Sequence, residues 1–540
     1  MSSKNIGLFL SIFLSLTFII IYLGSPLKNK RWKIVFDEEK IKFRENFLAE
    51  KLTAQNDMPN IIIIMADDLG KHELSLYGGN YVNTANIDAI GKNGVVFDEG
   101  YISSPICAPS RAGMMTGRYQ QRFGFEINIH ERYPKNRLEY YGAKLFVSND
   151  PFIVAKQNPP VFPDFEEMHK QGLPPTEIIL PELLKKQGYN TGMFGKWHLG
   201  YNLSALPIKR GFDYHYGFLE AFSLYAPVDD PNIVNEKHAD FTDKHIWKKA
   251  RSGNCAIQRN GTIVEEKTYL TYKIAEEANS WMQENHKNGP FFMYIPFSAP
   301  HTPFQALKRH YDIYAHIKDR NKRVYYAMIH ALDEAVGQIT SKVKELGLSE
   351  NTIIIFLSDN GGATYTHAAD NSPLKGGKFS NFEGGINVPF LMSWPAKIKS
   401  GIAYKHPVSA LDIFVTLAAV TNSKLPEDRV FDGVNLIPYV RGEFPDQKPH
   451  NALYWRSMHH KAIRKGPWKL IRDDLGNSTA LYNLDADKAE LKNLADECPE
   501  TVKILLKEFE IWEKGLIKPN WPRVLDYKIV DGAAEYYFPL

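Results

Sequence analysis

The sequence predicts an α/β fold: a large, mostly parallel sheet sandwiched by helices, followed by a smaller C-terminal α+β subdomain. Three observations carry this. Short apolar runs recur, and each leads into a polar cluster. Ile61–Met65 runs into Ala66-Asp67-Asp68, and Thr352–Leu357 into Ser358-Asp359-Asn360-Gly361-Gly362. Phe291–Ile295 leads to Pro300-His301-Thr302-Pro303, and Thr191–Phe194 to Gly195-Lys196-Trp197-His198. Continuous apolar runs of this length suit strands buried on both faces of a parallel sheet. Helical periodicities lie between them, and after about residue 445 the texture changes to short strands in close succession.

The helices follow from spacing. Ile329, Leu332, Val336, Ile339, Val343 and Leu346 repeat at three and four residues and stop at Gly347, the pattern of an amphipathic helix with a glycine just past its end. Ile179, Leu183 and Leu184 do likewise before Gly188. Pro109 and Ser110 suit a first helical turn, which Arg111 to Thr116 can continue up to Gly117. Near the C-terminus Ala462–Arg464 and Trp468–Ile471 flank Lys465-Gly466-Pro467, followed by Ala480–Leu484 and a helix near 500–514. Strands alternating with helices imply that ligands bind outside the carboxyl ends of the strands. All four polar clusters sit at such ends.

Charge narrows the function classes. The chain has 540 residues with 65 Lys+Arg against 62 Asp+Glu, and residues 1–33 contain five of the basic groups and no acid. The body is therefore near neutral, which argues against a nucleic-acid partner. At 44% hydrophobic and 24% charged the composition is globular, and three cysteines allow at most one disulfide. Between Lys4 and Lys28 no residue is charged, and Gly7–Gly24 is almost wholly apolar. That stretch is membrane-directed, a signal or anchor segment, and the lack of a small-residue cleavage pattern favours an uncleaved anchor. The basic group after it would hold the body in the cytoplasm by the positive-inside tendency, but long domains translocate largely regardless of such charge. The boundaries expected are 1–33 for the signal or anchor, 34–58 for a polar linker, 59–445 for the catalytic domain and 446–540 for the C-terminal subdomain.

Asp67, Asp68, Asp359 and Asn360 would bring three carboxylates and an amide to one sheet edge, where the anions repel unless a cation sits among them. Oxygen-only ligands suit a hard ion, calcium slightly better than magnesium. An Asp at a strand end also serves as an ordinary turn or cap residue, a reading weakened by two such pairs on matching strands. Cys107 would start a helix, where N–H groups and the dipole favour anions and lower a thiol pKa. A lone cysteine is more often an inert core residue. A thiolate beside a hard-metal cluster matches poorly, so a working Cys107 would need its sulfur replaced by oxygen.

The run CAPSRAGMMTG resembles the signature of type I sulfatases of the alkaline phosphatase superfamily, in which this cysteine is converted by a maturation enzyme to formylglycine. NIIIIMADDLG, GYNTGMFGKWHLG, FSAPHTPF, FLSDNGG and SPLKGGKFSNFEGG resemble the remaining signatures, in order, and AIRKGPWKLI and LYNLDADKAELKNLA extend the likeness more weakly to about residue 495. The resemblance implies an alkaline phosphatase-like fold and a calcium ion on Asp67, Asp68, Cys107, Asp359 and Asn360. It implies that Arg111 holds the formylglycine hydrate, that Lys196 and Lys375 bind sulfate oxygens, and that His198 and His301 are the catalytic histidines. In the implied mechanism one hydrate hydroxyl attacks sulfur, assisted by Asp359, while His301, helped by Lys375, protonates the leaving alcohol. His198 then takes the proton of the second hydroxyl and sulfate is expelled.

An added polar and aromatic stretch between Phe125 and Gly172 contains His130, Arg132, Tyr133, Lys135, Arg137, Tyr140 and Tyr141. Long loops at strand ends commonly set specificity, although this one could equally just cover the sheet. His72, His215, Arg456, His459 and His460 are further candidates for sulfate or uronate contacts. By analogy with similar bacterial enzymes the substrate is a sulfated poly- or oligosaccharide, such as an algal polysaccharide or glycosaminoglycan, met by an exported protein in the periplasm or at the cell surface. The alternatives are a phosphonate-ester or phosphodiester hydrolase on the same fold, and a silent glycan-binding protein with Cys107 unconverted.

Overall fold

Five parallel strands form the middle of a ten-stranded sheet: Thr352–Ser358, Asn60–Asp67, Phe291–Pro300, Asn190–Lys196 and Tyr214–Phe218, in that spatial order. Antiparallel neighbours flank them, Phe390–Ser393 on one side and Gln258–Arg259 on the other. The computed structural model describes every residue except 1–2, 26–31, 51, 53–56, 147–150, 156–160 and 238–242. The predicted class, a large mostly parallel sheet between helices with a smaller C-terminal unit, is the one observed.

The run Ile61–Met65 shows why the strands read as continuously apolar. Ile61, Ile63 and Met65 enter one core with Ala108, Ala112 and Met115 of the helix Cys107–Thr116. Ile62 and Ile64 enter the opposite core with Ile274 of the helix Leu270–Asn285 and with Ile329, Leu332, Val336 and Ile339 of the helix Arg320–Glu345. Alternate side chains point to opposite faces, so helices on both sides demand an apolar residue at each position. In the long helix, the side chain of Asp319 accepts the N–H of Lys322 at the start, and Gly347 follows the end at φ +71°. Each large apolar side chain buried along it contributes about 1.5–3 kcal/mol.

The C-terminal unit is a four-stranded antiparallel sheet, Ala452–Ser457, His460–Lys465, Trp468–Asp473 and Ser478–Asn483, in sequence order. Lys465 pairs with Trp468 across Gly466 (φ +56°), and Leu505 and Phe509 of the helix Pro499–Glu513 pack on Ile463, Leu470 and Leu481. A final hairpin, Leu525–Asp531 and Ala534–Pro539, pairs with Phe152–Val154. The stretch between Phe125 and Gly172 is therefore partly woven into the C-terminal region, and it also carries the helix Arg137–Phe146.

Residues 34–58, expected as a linker, are in part folded onto the body. Ile34 is buried, and Glu38–Ala49 forms a helix capped by Asp37, whose carboxylate accepts the N–H groups of Glu39 and Lys40. Arg44 pairs with Glu182, and Lys186 Nζ donates to the Phe47 carbonyl at 2.8 Å, both partners lying on the helix Leu180–Lys186. No residue of this N-terminal helix is buried, so it leaves no apolar stripe for sequence reasoning to find. Ser3–Gly24 is helical, with Phe9, Phe13, Phe18 and Ile20 exposed. Among the described residues, which for this helix's side chains begin at Phe9, no helix is long and apolar enough to cross a membrane. Lys28, Lys30 and Arg31, invoked for orientation, lie outside the described residues.

Candidate active site

Strand register brings the polar clusters together. Ala66 pairs with Ser358 and Asp67 with Pro300, so the residues following three adjacent strands meet at one edge, and the next strand ends in Lys196. Asp67, Asp68, Lys196, His198, Asp359 and Asn360 are all buried there. Two of them take left-handed backbone conformations, Asp68 at φ +61° and His198 at φ +56°. Non-glycine residues held there cost of order 1 kcal/mol and cluster at functional sites.

Cys107 is the first residue of its helix and faces the acids, Sγ 3.6 Å from Asp67 Oδ1 and 3.9 Å from Asp68 Oδ1. Three cations answer the three carboxylates. Lys196 Nζ lies 2.6 Å from Asp67 Oδ2, Lys378 Nζ 2.8 Å from Asp68 Oδ2, and Arg111 Nη2 2.8 Å from Asp359 Oδ2. Arg111 also donates from Nη1 to the Lys196 carbonyl at 3.0 Å, which fixes its plane. Asn360 donates from Nδ2 to Asp68 Oδ1 at 2.7 Å, leaving its buried Oδ1 without a partner. His301 donates from Nδ1 to the Thr302 carbonyl at 2.5 Å, so its neutral form presents a bare Nε2, 3.6 Å from Asp68 Oδ2. His198 is buried with Nδ1 unpartnered.

The electrostatics follow. Burial would raise Asp67 and Asp68, but Lys196 for the first and Lys378 for the second, with His301 for both, hold them below the usual carboxylate range. Asp359 is raised, by burial and by Asp67. Burial, then Lys196 and Arg111, drive His198 well below its ordinary value, and burial with Lys378 lowers His301. The Cys107 thiol is pushed up by burial despite Lys196 and Lys378. This runs against the expectation of a thiol made acidic by a helix N-terminus: desolvation beside carboxylates outweighs the dipole.

Lys375, expected among the sulfate-binding residues, is not brought to the site. Its Nζ pairs with Asp531 at 2.7 Å and donates to the Glu490 carbonyl at 3.1 Å. Lys378, three residues on, lies against Asp68 instead. The signal was present in the run Lys375-Gly376-Gly377-Lys378, which offers two lysines, but nothing local chooses between them. Arg456 is taken up by Glu126 and Glu513, and His459 donates to the Tyr537 carbonyl at 2.7 Å. His72 donates to the Tyr77 carbonyl, and His215 and His460 are buried in the fold.

Of the added stretch, His130 and Arg132 line a cavity of about 740 Å³ with Glu131, Glu220, Lys248 and Lys249. Two of its lining segments are joined to the site through residues next to them in the chain. Asn128 Oδ1 accepts the N–H of Ala108 at 3.4 Å, and the Leu219 carbonyl accepts that of His198 at 3.1 Å. Tyr133 instead donates to the Pro522 carbonyl and Tyr140 to that of Ala155, both as packing residues.

The oxygens of Asp67, Asp68 and Asn360 suit a hard cation, whereas Cys107 Sγ and the His301 ring do not, and Asp359, expected as a ligand, is not in the closest group. Asp67, Asp68, Cys107 and His301 offer ligand atoms within 4.8 Å of one another, and the orphaned Asn360 Oδ1 adds a neutral oxygen such as calcium accepts.

Comparison with known proteins gives the family. The sulfatase family model matches residues 59–423, and the C-terminal model of N-sulphoglucosamine sulphohydrolase matches residues 378–511. The chain is 31% identical to N-acetylgalactosamine-6-sulfatase of Rattus norvegicus over 76% of its own length and 71% of that protein's. It is 29% identical to human steryl-sulfatase, over 78% and 76%. Among solved structures, Ps i-CgsB in complex with k-i-k-neocarrahexaose superimposes with a TM-score of 0.71 at 31% identity, covering 86% of this chain and 94% of that one. The chain belongs to the sulfatase family, type I of the alkaline phosphatase superfamily, and is a sulfuric ester hydrolase.

Proposed function

We propose that the chain removes sulfate from sulfated poly- or oligosaccharides, such as algal polysaccharides or glycosaminoglycans, at Cys107 after its conversion to formylglycine by a maturation enzyme. The carrying observation is the placement of three cations around Cys107: Lys196 at a strand end, Arg111 on the helix that Cys107 begins, and Lys378 on a loop. The k-i-k-neocarrahexaose named for one similar structure and the N-acetylgalactosamine named for one relative support the carbohydrate class. The apolar run Gly7–Gly24 supports export to the periplasm or cell surface.

Formylglycine would supply a hydrate hydroxyl as nucleophile, and calcium on Asp67, Asp68, Asp359 and Asn360 would acidify it and draw charge from the sulfate. The remaining work falls to the chain's own groups. Lys196 and Lys378 hold the peripheral sulfate oxygens as charge builds on them. Arg111, locked by Asp359 and the Lys196 carbonyl, fixes the side chain at position 107. His301 presents Nε2 and delivers a proton to the leaving sugar oxygen, the arriving anion favouring its charged form. His198, kept neutral by burial and by neighbouring cations, serves as the base.

The test is a panel of defined sulfated oligosaccharides, an aryl sulfate and an aryl phosphodiester, with protein made alongside its maturation system. Sulfate release from at least one oligosaccharide, at higher kcat/KM than phosphodiester cleavage, is the expected result. Dominant phosphodiesterase activity overturns the reading.

A further inference from the structure

A second group of metal-ligating side chains lies outside the catalytic cluster, where the helix Lys308–Ile313 meets the helix Arg320–Glu345. His330 and Glu334 stand one turn apart on the long helix, and His310 comes from the short one. One ligand atom from each lies within 4.8 Å of the others. His310 Nε2 is 3.3 Å from Glu334 Oε2, and His330 Nε2 is 3.4 Å from Oε1. Both exceed the roughly 2.7–2.9 Å of a charge-assisted hydrogen bond. They match the spacing of neighbouring donors around a tetrahedral ion bound at about 2.0–2.1 Å.

The surroundings suit ligation. The two imidazoles stack with centroids 4.5 Å apart and planes at 23°, an arrangement in which two imidazolium charges would repel. Neutral imidazole is the form that binds metals. The Tyr314 hydroxyl lies 2.9 Å from His330 Nδ1, fixing the ring, and the Tyr272 hydroxyl donates to the Glu334 carboxylate. Such outer partners orient metal ligands. Tyr272 OH also lies 3.4 Å from His310 Nε2, and buried Nδ1 of that ring has no protein partner. Arg309 reaches Glu334 at 3.5 Å, with its side chain 64% exposed and lying over the Tyr272 ring.

We propose that His310, His330 and Glu334 bind a borderline divalent cation of the zinc class, with a fourth position open to water. Two imidazole nitrogens disfavour calcium, which separates this site from the oxygen-rich one. The ion has a structural consequence. His310 follows the strand Phe304–Leu307, which continues from His301, so the metal ties the segment carrying a catalytic histidine to the long core helix.

The test uses the full chain with Cys107→Ala, which removes the soft ligand of the catalytic cluster, and excess calcium to occupy its oxygens. The protein is stripped with chelator and titrated with zinc(II) alone by calorimetry, followed by metal analysis after dialysis. One zinc per chain is expected, with a zinc-dependent rise in Tm. His330→Ala and Glu334→Gln should each bind at least tenfold more weakly and lose the Tm rise. Should His330→Ala fail to fold by circular dichroism, Glu334→Gln, at a partly exposed position, decides. No zinc uptake under calcium excess, or folded variants that bind zinc like the parent, overturns the proposal and leaves an ion-pair network.

Discussion

Lys378 brings its ammonium group to 2.8 Å from Asp68 Oδ2, inside the ring of charges that faces Cys107. Burial would lower this lysine, but Asp68 raises it well above its ordinary value and keeps it charged where the sulfate is proposed to sit. Lys378→Ala should lower kcat/KM by about 10²–10³, the scale of losing one donor to a developing oxyanion. Lys375→Ala, which breaks only a partly exposed pair with Asp531, should change it less than about threefold. Steady-state kinetics on a sulfated oligosaccharide checks both, and equal effects would contradict the placement of Lys378.

Metal removal should be felt in stability as well as turnover. Asp67 and Asp68 converge with Cys107 and His301, and the Asn360 Oδ1 nearby is unpartnered, so chelation should abolish turnover and lower Tm. Calcium at one hundred times its Kd should restore about 2.7 kcal/mol. Asn360→Ala should raise the calcium concentration needed for half-maximal activity. Scanning calorimetry with and without calcium reads the shift, and a Tm indifferent to calcium counts against this cluster as a cation site.

Much of this was legible in the sequence because strand ends advertise themselves. Ile61–Met65 and Thr352–Leu357 are apolar at every position since both faces are covered, and the residues just beyond must be the ligand-facing ones. Lys378 was not legible, because two glycines separate it from Lys375 and the path of that loop is set by contacts such as Lys378 N–H to the Gly362 carbonyl. The helix Glu38–Ala49 was hidden for another reason. It is anchored by Arg44, the Phe47 carbonyl and the partly buried Phe47 ring, and partners on a distant helix leave no periodic trace. His310 escaped notice since nothing in sequence places it against His330.

Glu182 links that N-terminal helix to the body and should dominate part of the acid sensitivity. It is buried between Arg44 and Arg210, the latter 2.8 Å away. Burial would raise its pKa, but Arg210 and Arg44 hold it below the usual range. Its folded-state pKa thus lies below the unfolded value, so its contribution is present above about pH 4.3 and is lost as pH falls through the folded value. Glu182→Gln removes the carboxylate shared by two guanidinium groups, although Arg210 keeps carbonyl acceptors, and should cost about 1.5–3 kcal/mol at neutral pH. Thermal melts from pH 7 to pH 3 should show the gap between parent and variant closing in acid. A gap constant with pH contradicts the assignment.

The cavity beside the site should distinguish polymer from small substrate. Arg132 and Lys248 line it without belonging to the charge ring at Cys107. Arg132→Ala and Lys248→Ala should each raise KM for a sulfated oligosaccharide by about 2- to 5-fold, the scale of one exposed charge contact, and leave an aryl sulfate unaffected. Parallel changes with both substrates would argue against a sugar-binding role.

The most direct measurement is peptide mass spectrometry of Cys107 in protein that has been made with its maturation system and shown to release sulfate. Residue 107 is expected to carry the mass of formylglycine, in a fraction that scales with specific activity across preparations. An unmodified Cys107 thiol in protein that turns over sulfate esters would contradict the proposed chemistry.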